Sequence, residues 1–162
     1  MTAMLLRRLC CLSLALAMLA ANNVVSAHEK VHGANSLFVA PTVKVGWVVQ
    51  KGASEVSTYV ILRVVNSVGQ FRQVRLDCVD PFSNNRKVLV PAQALGESID
   101  LSVPRSGFAE FPSCEIHLYR SAMASLDERP SLTIYYLGVP DTTPEFASAV
   151  DAQAYLARAL GQ

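Results

Sequence analysis

The chain has 162 residues, of which 51% are hydrophobic and 17% charged, and its formal net charge at pH 7 is +1. This length suits about one domain, and the composition is too apolar for a disordered chain or a collagen-like repeat. A charge so close to zero offers no electrostatic attraction to phosphate backbones, which argues against a nucleic-acid partner.

Residues 1–27 have the pattern of a signal peptide. Arg7 and Arg8 precede an uncharged run over residues 9–21, and the polar stretch that follows ends with Val25 and Ala27 at the −3 and −1 positions of a cleavage site. A membrane-spanning helix needs about 20 apolar residues, more than this run contains. We therefore expect cleavage after Ala27 and no stable membrane insertion afterwards.

Export would place the protein in the periplasm or outside the cell, where thiols oxidise. Residues 28–36 would then be a flexible leader, and two cysteines, Cys78 and Cys114, would remain. Neither lies in a CxxC motif, so we predict a structural disulfide between them. The chain-entropy model gives a disulfide that closes a loop of this size a stabilising effect of about 4 kcal/mol.

Seven segments have the alternation or the β-branched composition of strands. They are residues 42–50, 55–66, 70–80, 87–90, 98–103, 113–120 and 131–139. Pro91 ends the fourth strand or places it at a sheet edge. Cys78 and Cys114 alternate in step with the apolar residues of their strands, so both point inward, as a buried bridge requires.

Successive strands with no helices between them indicate a mainly β fold. We predict a single antiparallel β-sandwich of immunoglobulin-like architecture over residues 37–140. True immunoglobulin domains place a Trp between the paired cysteines. Here Trp47 precedes both, so the expected likeness is one of architecture.

The period changes at the end of the chain, where residues 141–162 predict a C-terminal α-helix. Hydroxyl residues, Pro144 and Glu145 make a suitable first turn, and an Ala-rich stretch follows. Helical spacing predicts a docking face, formed by Phe146, Ala149, Val150, Gln153, Ala157 and Leu160. This helix either covers the sheet or is captured by a partner.

Cleavage after Ala27 would put a free α-amine and an imidazole on His28, a bidentate chelate for Cu(II). This arrangement resembles the histidine brace of lytic polysaccharide monooxygenases and of some periplasmic copper-binding sandwiches. Those sites add a second histidine from the fold, and here the candidates are His32 and His117. The resemblance implies a periplasmic copper-binding protein as the alternative function; otherwise we expect no cofactor.

Catalytic motifs such as GxSxG, HExxH and the P-loop are missing from the sequence. His117 shares a predicted outward strand face with Glu115 and Tyr119, which would suit a general base. Polar residues are the default on such a face, however, so we predict a protein without catalytic activity.

Residues 80–87 form the densest polar loop, directly after the inward Cys78. It carries Phe82, Asn84, Asn85 and Arg86, and Phe108 from a second aromatic loop either joins the same surface or packs in the core. Rigid scaffolds commonly bind partners through such loops. The leading prediction is a small exported binding or accessory module that acts on an envelope or secreted protein; the alternative for this segment is an ordinary turn.

Overall fold

The structure, a computed structural model, describes residues 27–30, 37–80, 82–83, 85–109, 113–123, 128–136 and 143–162. Apart from Ala27, the predicted signal peptide lies outside these ranges, as do residues 31–36 of the predicted leader. Residues 28–30 of that leader belong to a short strand. None of the helices in the described ranges has the length and apolar character that a membrane crossing needs.

The described residues contain ten strands and two α-helices. The strands are β1 Ala27–Lys30, β2 Leu37–Val39, β3 Lys44–Gln50, β4 Tyr59–Val65, β5 Gln73–Val79, β6 Arg86–Ala94, β7 Ser98–Pro104, β8 Ser113–Tyr119, β9 Leu132–Tyr136 and β10 Glu145–Phe146, and the helices are α1 Ser106–Ala109 and α2 Ala149–Ala159. A single 3₁₀ turn, Glu55–Ser57, precedes β4. All seven predicted strands are present, as β3 to β9.

These strands form two sheets. The first sheet has the order β1-β9-β8-β5-β6, and the second has β10-β3-β4-β7, with β2 also paired to β3. Neighbours are antiparallel except for the short parallel pairs β1–β9 and β10–β3. The mainly β class, the two antiparallel sheets and the C-terminal helix are therefore confirmed.

Alternate side chains of the two sheets meet in one hydrophobic core. Trp47 and Leu62 of the second sheet and Leu76, Ile116 and Ile134 of the first are all buried within it. Period-two alternation places these residues on one face of each strand, as the sequence pattern predicts. Burial of that face against the other sheet supplies the main stabilising contribution.

The other face of the second sheet is covered by α2. Val48 and Ile61 form a second cluster with Ala152 and Leu156 of the helix. Gly46 allows this close approach, since a Cβ atom there would lie 3.0 Å from Leu156 Cδ2. The helix therefore lies directly against the backbone of β3.

The start and the docking face of this helix differ from the prediction. Residues 145–146 form β10 instead of a first helical turn, because Pro144 O accepts from Val49 N and Phe146 O from Lys51 N along the edge of β3. The N-cap is Ser148, whose side chain accepts a hydrogen bond from Asp151 N. Of the predicted docking face, Leu160 is buried and Phe146 packs against the helix cluster, whereas Val150 is 74% exposed. The other buried helix positions are Ala152 and Leu156.

The β6 strand continues through Pro91 to Ala94, at the edge of the first sheet. The predicted edge position is correct, whereas the predicted end at Val90 is wrong. A proline lacks an N–H to donate, but an edge strand needs to donate on one side only, so the strand can pass through Pro91.

Candidate functional site: a buried charge cluster and a disulfide-anchored loop

Cys78 and Cys114 form a disulfide between β5 and β8, where the two residues lie opposite each other in the strand register. Both are fully buried in the shared core. The predicted bridge is confirmed. It joins the last residues of β5 to the first residues of β8, directly below the β5–β6 connection.

We call that connection together with the first residue of β6, residues 80–86, the Phe82 loop. Asp80 organises it: its backbone N–H donates to Asn85 O at 2.9 Å, and its Oδ1 accepts from Phe82 N, also at 2.9 Å. Ser83 Oγ donates to Asp80 Oδ2. The backbone of the turn is therefore held by its own polar groups, while the Phe82 side chain is 95% exposed.

A cluster of charged side chains lies beside this loop, on the outer face of the first sheet. Asp77, which is fully buried, is its centre. Its Oδ2 atom contacts three nitrogens: Arg75 Nη2 at 2.9 Å, Arg86 Nη1 at 3.0 Å and His117 Nε2 at 3.3 Å. Arg86 Nη1 also lies 2.8 Å from Glu115 Oε2. We refer to these five residues as the charge cluster.

The cluster stabilises a charged His117. Burial alone would lower the pKa of this imidazole, but hydrogen bonds to Asp77 and Glu115 outweigh that effect and raise the pKa above its ordinary value. The other ring nitrogen, Nδ1, lies 3.1 Å from Thr133 Oγ1. Both ring nitrogens are therefore within hydrogen-bonding distance of protein atoms.

The pKa values of the two carboxylates are shifted in the opposite direction to that of His117. Burial would raise the pKa of Asp77, but hydrogen bonds from His117 and Arg86 and the charge of Arg75 lower it. The hydrogen bond from His117 is the main cause that lowers the pKa of Glu115, against the effect of burial. Each ionised group thus depends on the others to remain charged inside the protein.

Asp77 Oδ1 and Arg75 Nε are buried and have no hydrogen-bond partner among the described residues. Among the described residues, Oδ2 is therefore the only oxygen of the Asp77 carboxylate that binds the rest of the charge cluster. Loss of this carboxylate would leave two arginines and a histidine next to one another.

The predicted binding residues divide between the surface and the core. Phe82, Asn85 and Arg86 are exposed, and Arg86 joins the loop to the charge cluster. Phe108 lies in α1 and is only 5% exposed, packed in the shared core. It is therefore no part of a binding surface. Asn84 lies outside the described residues.

The predicted metal-binding histidines are placed only in part. The backbone of His28 is paired with Thr133, and Thr133 is paired with His117 on its other side. His28 and His117 thus occupy the same row of the first sheet with one strand between them, about 10 Å apart by the usual strand spacing. His32 lies outside the described residues. No group of three or more His, Cys, Asp or Glu suited to a metal ion occurs in the described ranges.

The prediction that His117 faces away from the shared core is correct in direction, but the side chain is not solvated. It is 5% exposed, and Tyr119 is 1% exposed. A general base must reach a proton on its substrate. With both ring nitrogens held by protein groups, His117 has the contacts of a structural ion cluster.

Sequence reasoning missed Asp77, Arg75 and Thr133 as members of the site. The alternation of β5 does place Arg75 and Asp77 on the outer face, opposite Leu76 and Cys78. That signal gives the face of each residue, but it does not reveal that this polar face is buried.

Comparisons with protein families, with curated proteins and with solved structures find no match to this chain.

Proposed function

We propose that this protein is a small exported binding module without catalytic activity, which contacts an envelope or secreted protein through the Phe82 loop. The observation that carries the proposal is the 95% exposure of Phe82 on a turn ordered by Asp80. Exposed aromatic residues on rigid supports are typical energetic centres of protein interfaces. Full solvation of this ring is unfavourable, and a partner that covers it would remove the cost.

Three anchors fix the loop. The Cys78–Cys114 disulfide lies at its base, Arg86 binds Asp77 and Glu115, and Asp80 closes the turn through the backbone of Asn85. A preorganised loop loses little conformational freedom when it binds. The buried charge cluster thus supports binding by holding Arg86, and the loop, in place.

The order of the strands supports an immunoglobulin-like sandwich as the scaffold. If β3 to β9 are lettered A to G, strands A, B and E are neighbours in one sheet and C, F and G in the other. This is the arrangement of immunoglobulin domains, except that the fourth strand pairs with C instead of E. Sandwiches of this type commonly bind through the loops at their ends.

Export is supported by the apolar run after Arg8 and by the disulfide, which persists in oxidising compartments. Both features agree with a periplasmic or secreted location.

One observation favours the copper-binding alternative, namely that His28 and His117 lie in the same row of the first sheet. Against it, Arg86 Nη1 lies 3.1 Å from His117 Nε2, and a cation at that position repels a metal ion. A calorimetric titration of the processed protein with Cu(II) separates the two functions. Binding tighter than that of a scrambled HEKVHG peptide, lost in His28→Ala and His117→Gln, would support copper and contradict our proposal.

The direct test is the recovery of envelope proteins by the immobilised protein. We expect Phe82→Ser to abolish recovery of a specific partner, because it removes the exposed ring and leaves the turn intact. Val56→Ser is the matched control, since Val56 is also an exposed apolar residue in a turn, at 82% exposure. Equal recovery by the Phe82→Ser variant and the wild type would reject the Phe82 loop as the binding surface.

A further inference from the structure

The outer edge of β6 pairs with no other described strand. This strand has nine residues, lies at the end of the first sheet and bonds to β5 on one side only. The opposite edge of each sheet, by contrast, ends in strands of four residues or fewer, which offer little room for a further strand. An open edge as long as that of β6 presents a row of backbone donors and acceptors to another chain.

The second sheet also has an open edge, at β7, which pairs with β4 alone among the described strands. Its exposed residues are Ser98, Ser102 and Pro104, so that edge offers no large apolar side chain. On β6, by contrast, Val88 is 45% exposed, and Phe82 is 95% exposed in the adjoining loop. The edge of β6 therefore continues the apolar surface that begins at Phe82.

The backbone groups of Arg86 and Val88 face this open edge. Directly opposed residues of antiparallel strands alternate between pairs that exchange two hydrogen bonds and pairs that exchange none. Asp80 N donates to Asn85 O at 2.9 Å, which marks these two residues as a bonded pair. Counting from that pair along the register, Lys87 is bonded to β5, whereas Arg86 and Val88 are not. The N–H and C=O groups of Arg86 and Val88 therefore point away from β5.

The disulfide supports the same assignment. The Cα atoms of Cys78 and Cys114 are 3.9 Å apart, which is the close spacing of a pair without backbone hydrogen bonds. The backbone groups of Cys78 therefore point away from β8 and towards β6, where this residue lies opposite Lys87. Pro91 has no N–H to offer, so the stretch of β6 that can bond to a further strand ends before it.

This stretch of β6 is held in a fixed position. Arg86 Nη1 lies 3.0 Å from Asp77 Oδ2 and 2.8 Å from Glu115 Oε2, so the charge cluster anchors the first residue of the strand. An edge that already has the strand conformation loses little conformational freedom when another strand pairs with it.

We propose that an extended segment of the partner protein pairs with residues 86–90 of β6 and so adds a strand to the first sheet. This inference rests on the proposed function of the Phe82 loop and states the kind of partner that the loop meets. Hydrogen bonds to the backbone of Arg86 and Val88 supply affinity whatever the side chains of the segment are. The exposed side chains of Val88 and Phe82 favour apolar residues at the positions of the segment that cover them.

A second copy of this protein is a poorer occupant of the edge. In a symmetric dimer the two β6 strands would run antiparallel, and their outward groups would meet only if Arg86 lay opposite Val88 of the other copy. Lys87 would then lie directly opposite the same residue of the other copy, with about 4.5–5.5 Å between the Cβ atoms. Like charges in that arrangement are destabilising. The register therefore favours a segment of a different protein.

The first test needs no partner. In the full chain, in the form its cells contain, the amide hydrogens of Arg86 and Val88 should exchange with solvent at least about 100-fold faster than that of Lys87, which is bonded to β5. Hydrogen exchange followed by NMR measures the three rates. Protection of Arg86 and Val88 equal to that of Lys87 would show that the edge is closed and would overturn the inference.

The second test removes one outward donor. Val88→Pro deletes the N–H at the open edge, where a proline is tolerated. Val88→Ala is the matched control, because it shortens the side chain and keeps the N–H. Circular dichroism and thermal unfolding confirm that both variants are folded.

The probe is a phage-displayed library of linear seven-residue peptides, selected on the immobilised wild type. We expect the selected peptides to bind Val88→Pro about tenfold more weakly than the wild type and to bind Val88→Ala with most of the wild-type affinity. On binding, the amides of Arg86 and Val88 should become protected from exchange. Equal affinity for Val88→Pro and the wild type, bound peptides that leave both amides unprotected, or a library without any enriched peptide would each contradict strand addition.

Strand addition and the function of the Phe82 loop fail through different results. Recovery of an envelope protein that is lost in Phe82→Ser but kept in Val88→Pro would retain the loop as the binding surface and overturn strand addition. Peptides that need the Val88 N–H but bind Phe82→Ser normally would retain strand addition and reject the loop. A wild type that dimerises in sedimentation velocity, with the dimer lost in Val88→Pro, would overturn the partner segment in favour of a second copy.

Discussion

The outer face of the second sheet is covered by the apolar side of α2, whereas the outer face of the first sheet carries the charge cluster, in which Asp77 and His117 are buried. On the second sheet, Val48 and Ile61 meet Leu156. On the first, Asp77 binds His117 and two arginines. The stability of the apolar interface depends on its buried area and shape, whereas the stability of the charge cluster requires that every buried charge keeps its partners.

The two outer faces respond differently when a side chain is removed. Removing an apolar group from the helix interface leaves a cavity, to which neighbouring side chains partly relax. Removing one member of the charge cluster leaves the other charges buried and unpaired. The charge cluster therefore fixes the position of Arg86, and with it one end of the Phe82 loop, more strictly than a hydrophobic contact would.

The largest effect is expected for Asp77→Ala. This substitution leaves Arg75, Arg86 and His117 adjacent without the carboxylate that binds all three. Breaking a buried ion pair from one side costs about 3–5 kcal/mol. Urea denaturation measures the change in the free energy of unfolding.

Asp100→Ala is the control for that measurement, because Asp100 pairs with Arg63 on the second sheet in a less buried position. We expect a loss of about 1 kcal/mol there. Equal losses in the two variants would show that burial of the charge cluster adds nothing to the strength of its contacts.

A smaller loss is expected for Leu156→Ala, which truncates a fully buried side chain at the centre of the helix interface. Leu→Ala substitutions in cores cost about 2–5 kcal/mol, and we expect the lower half of that range because a helix packed on the outer face of a sheet can shift into the space. Val150→Ala on the exposed side of the same helix should change stability by less than about 0.5 kcal/mol. Similar losses at both positions would contradict the docking face described here.

The smallest effect is expected in the shape of the stability profile against pH. The pKa of His117 is raised from its ordinary value of 6.5, so its contribution is complete below about pH 6.5 and is lost as the pH rises through the folded-state pKa. The pKa values of Asp77 and Glu115 are lowered from 3.8 and 4.5. Their contribution is complete above about pH 4.5 and is lost as the pH falls through the folded-state values.

Stability should therefore be greatest between about pH 4.5 and 6.5. Thermal unfolding followed over a pH series measures this profile. His117→Gln should remove the decline on the alkaline side, whereas Leu156→Ala should lower the whole curve without a change of shape. An unchanged alkaline decline in His117→Gln would assign the pH dependence to other groups.

Much of the fold could be predicted, because polar and apolar residues alternate along the strands. In β3, β5 and β8 every second residue is apolar, so the strands, their inward faces and the pairing of Cys78 with Cys114 follow from local pattern and composition. The strands absent from the prediction, β1, β2 and β10, have two to four residues each. Segments this short carry no period, and they exist because they pair with an available edge.

The candidate site was predicted only in part, because alternation gives the direction of a side chain but not what covers it. Phe82 and Arg86 are exposed, as the predicted binding loop requires, although Arg86 is the first residue of β6. Phe108 has the same aromatic character as Phe82, yet it lies in the core, since a short helix, α1, turns it inward.

The amino-acid sequence by itself determined the strands, the inward direction of both cysteines and the presence of a C-terminal helix, since each depends on residues close together in the chain. The tertiary structure alone decided which polar face was buried, where that helix begins and which side of it docks. Those features depend on contacts between distant segments, such as Asp77 with His117 and Gly46 with Leu156, whose free energy is not contained in either segment alone.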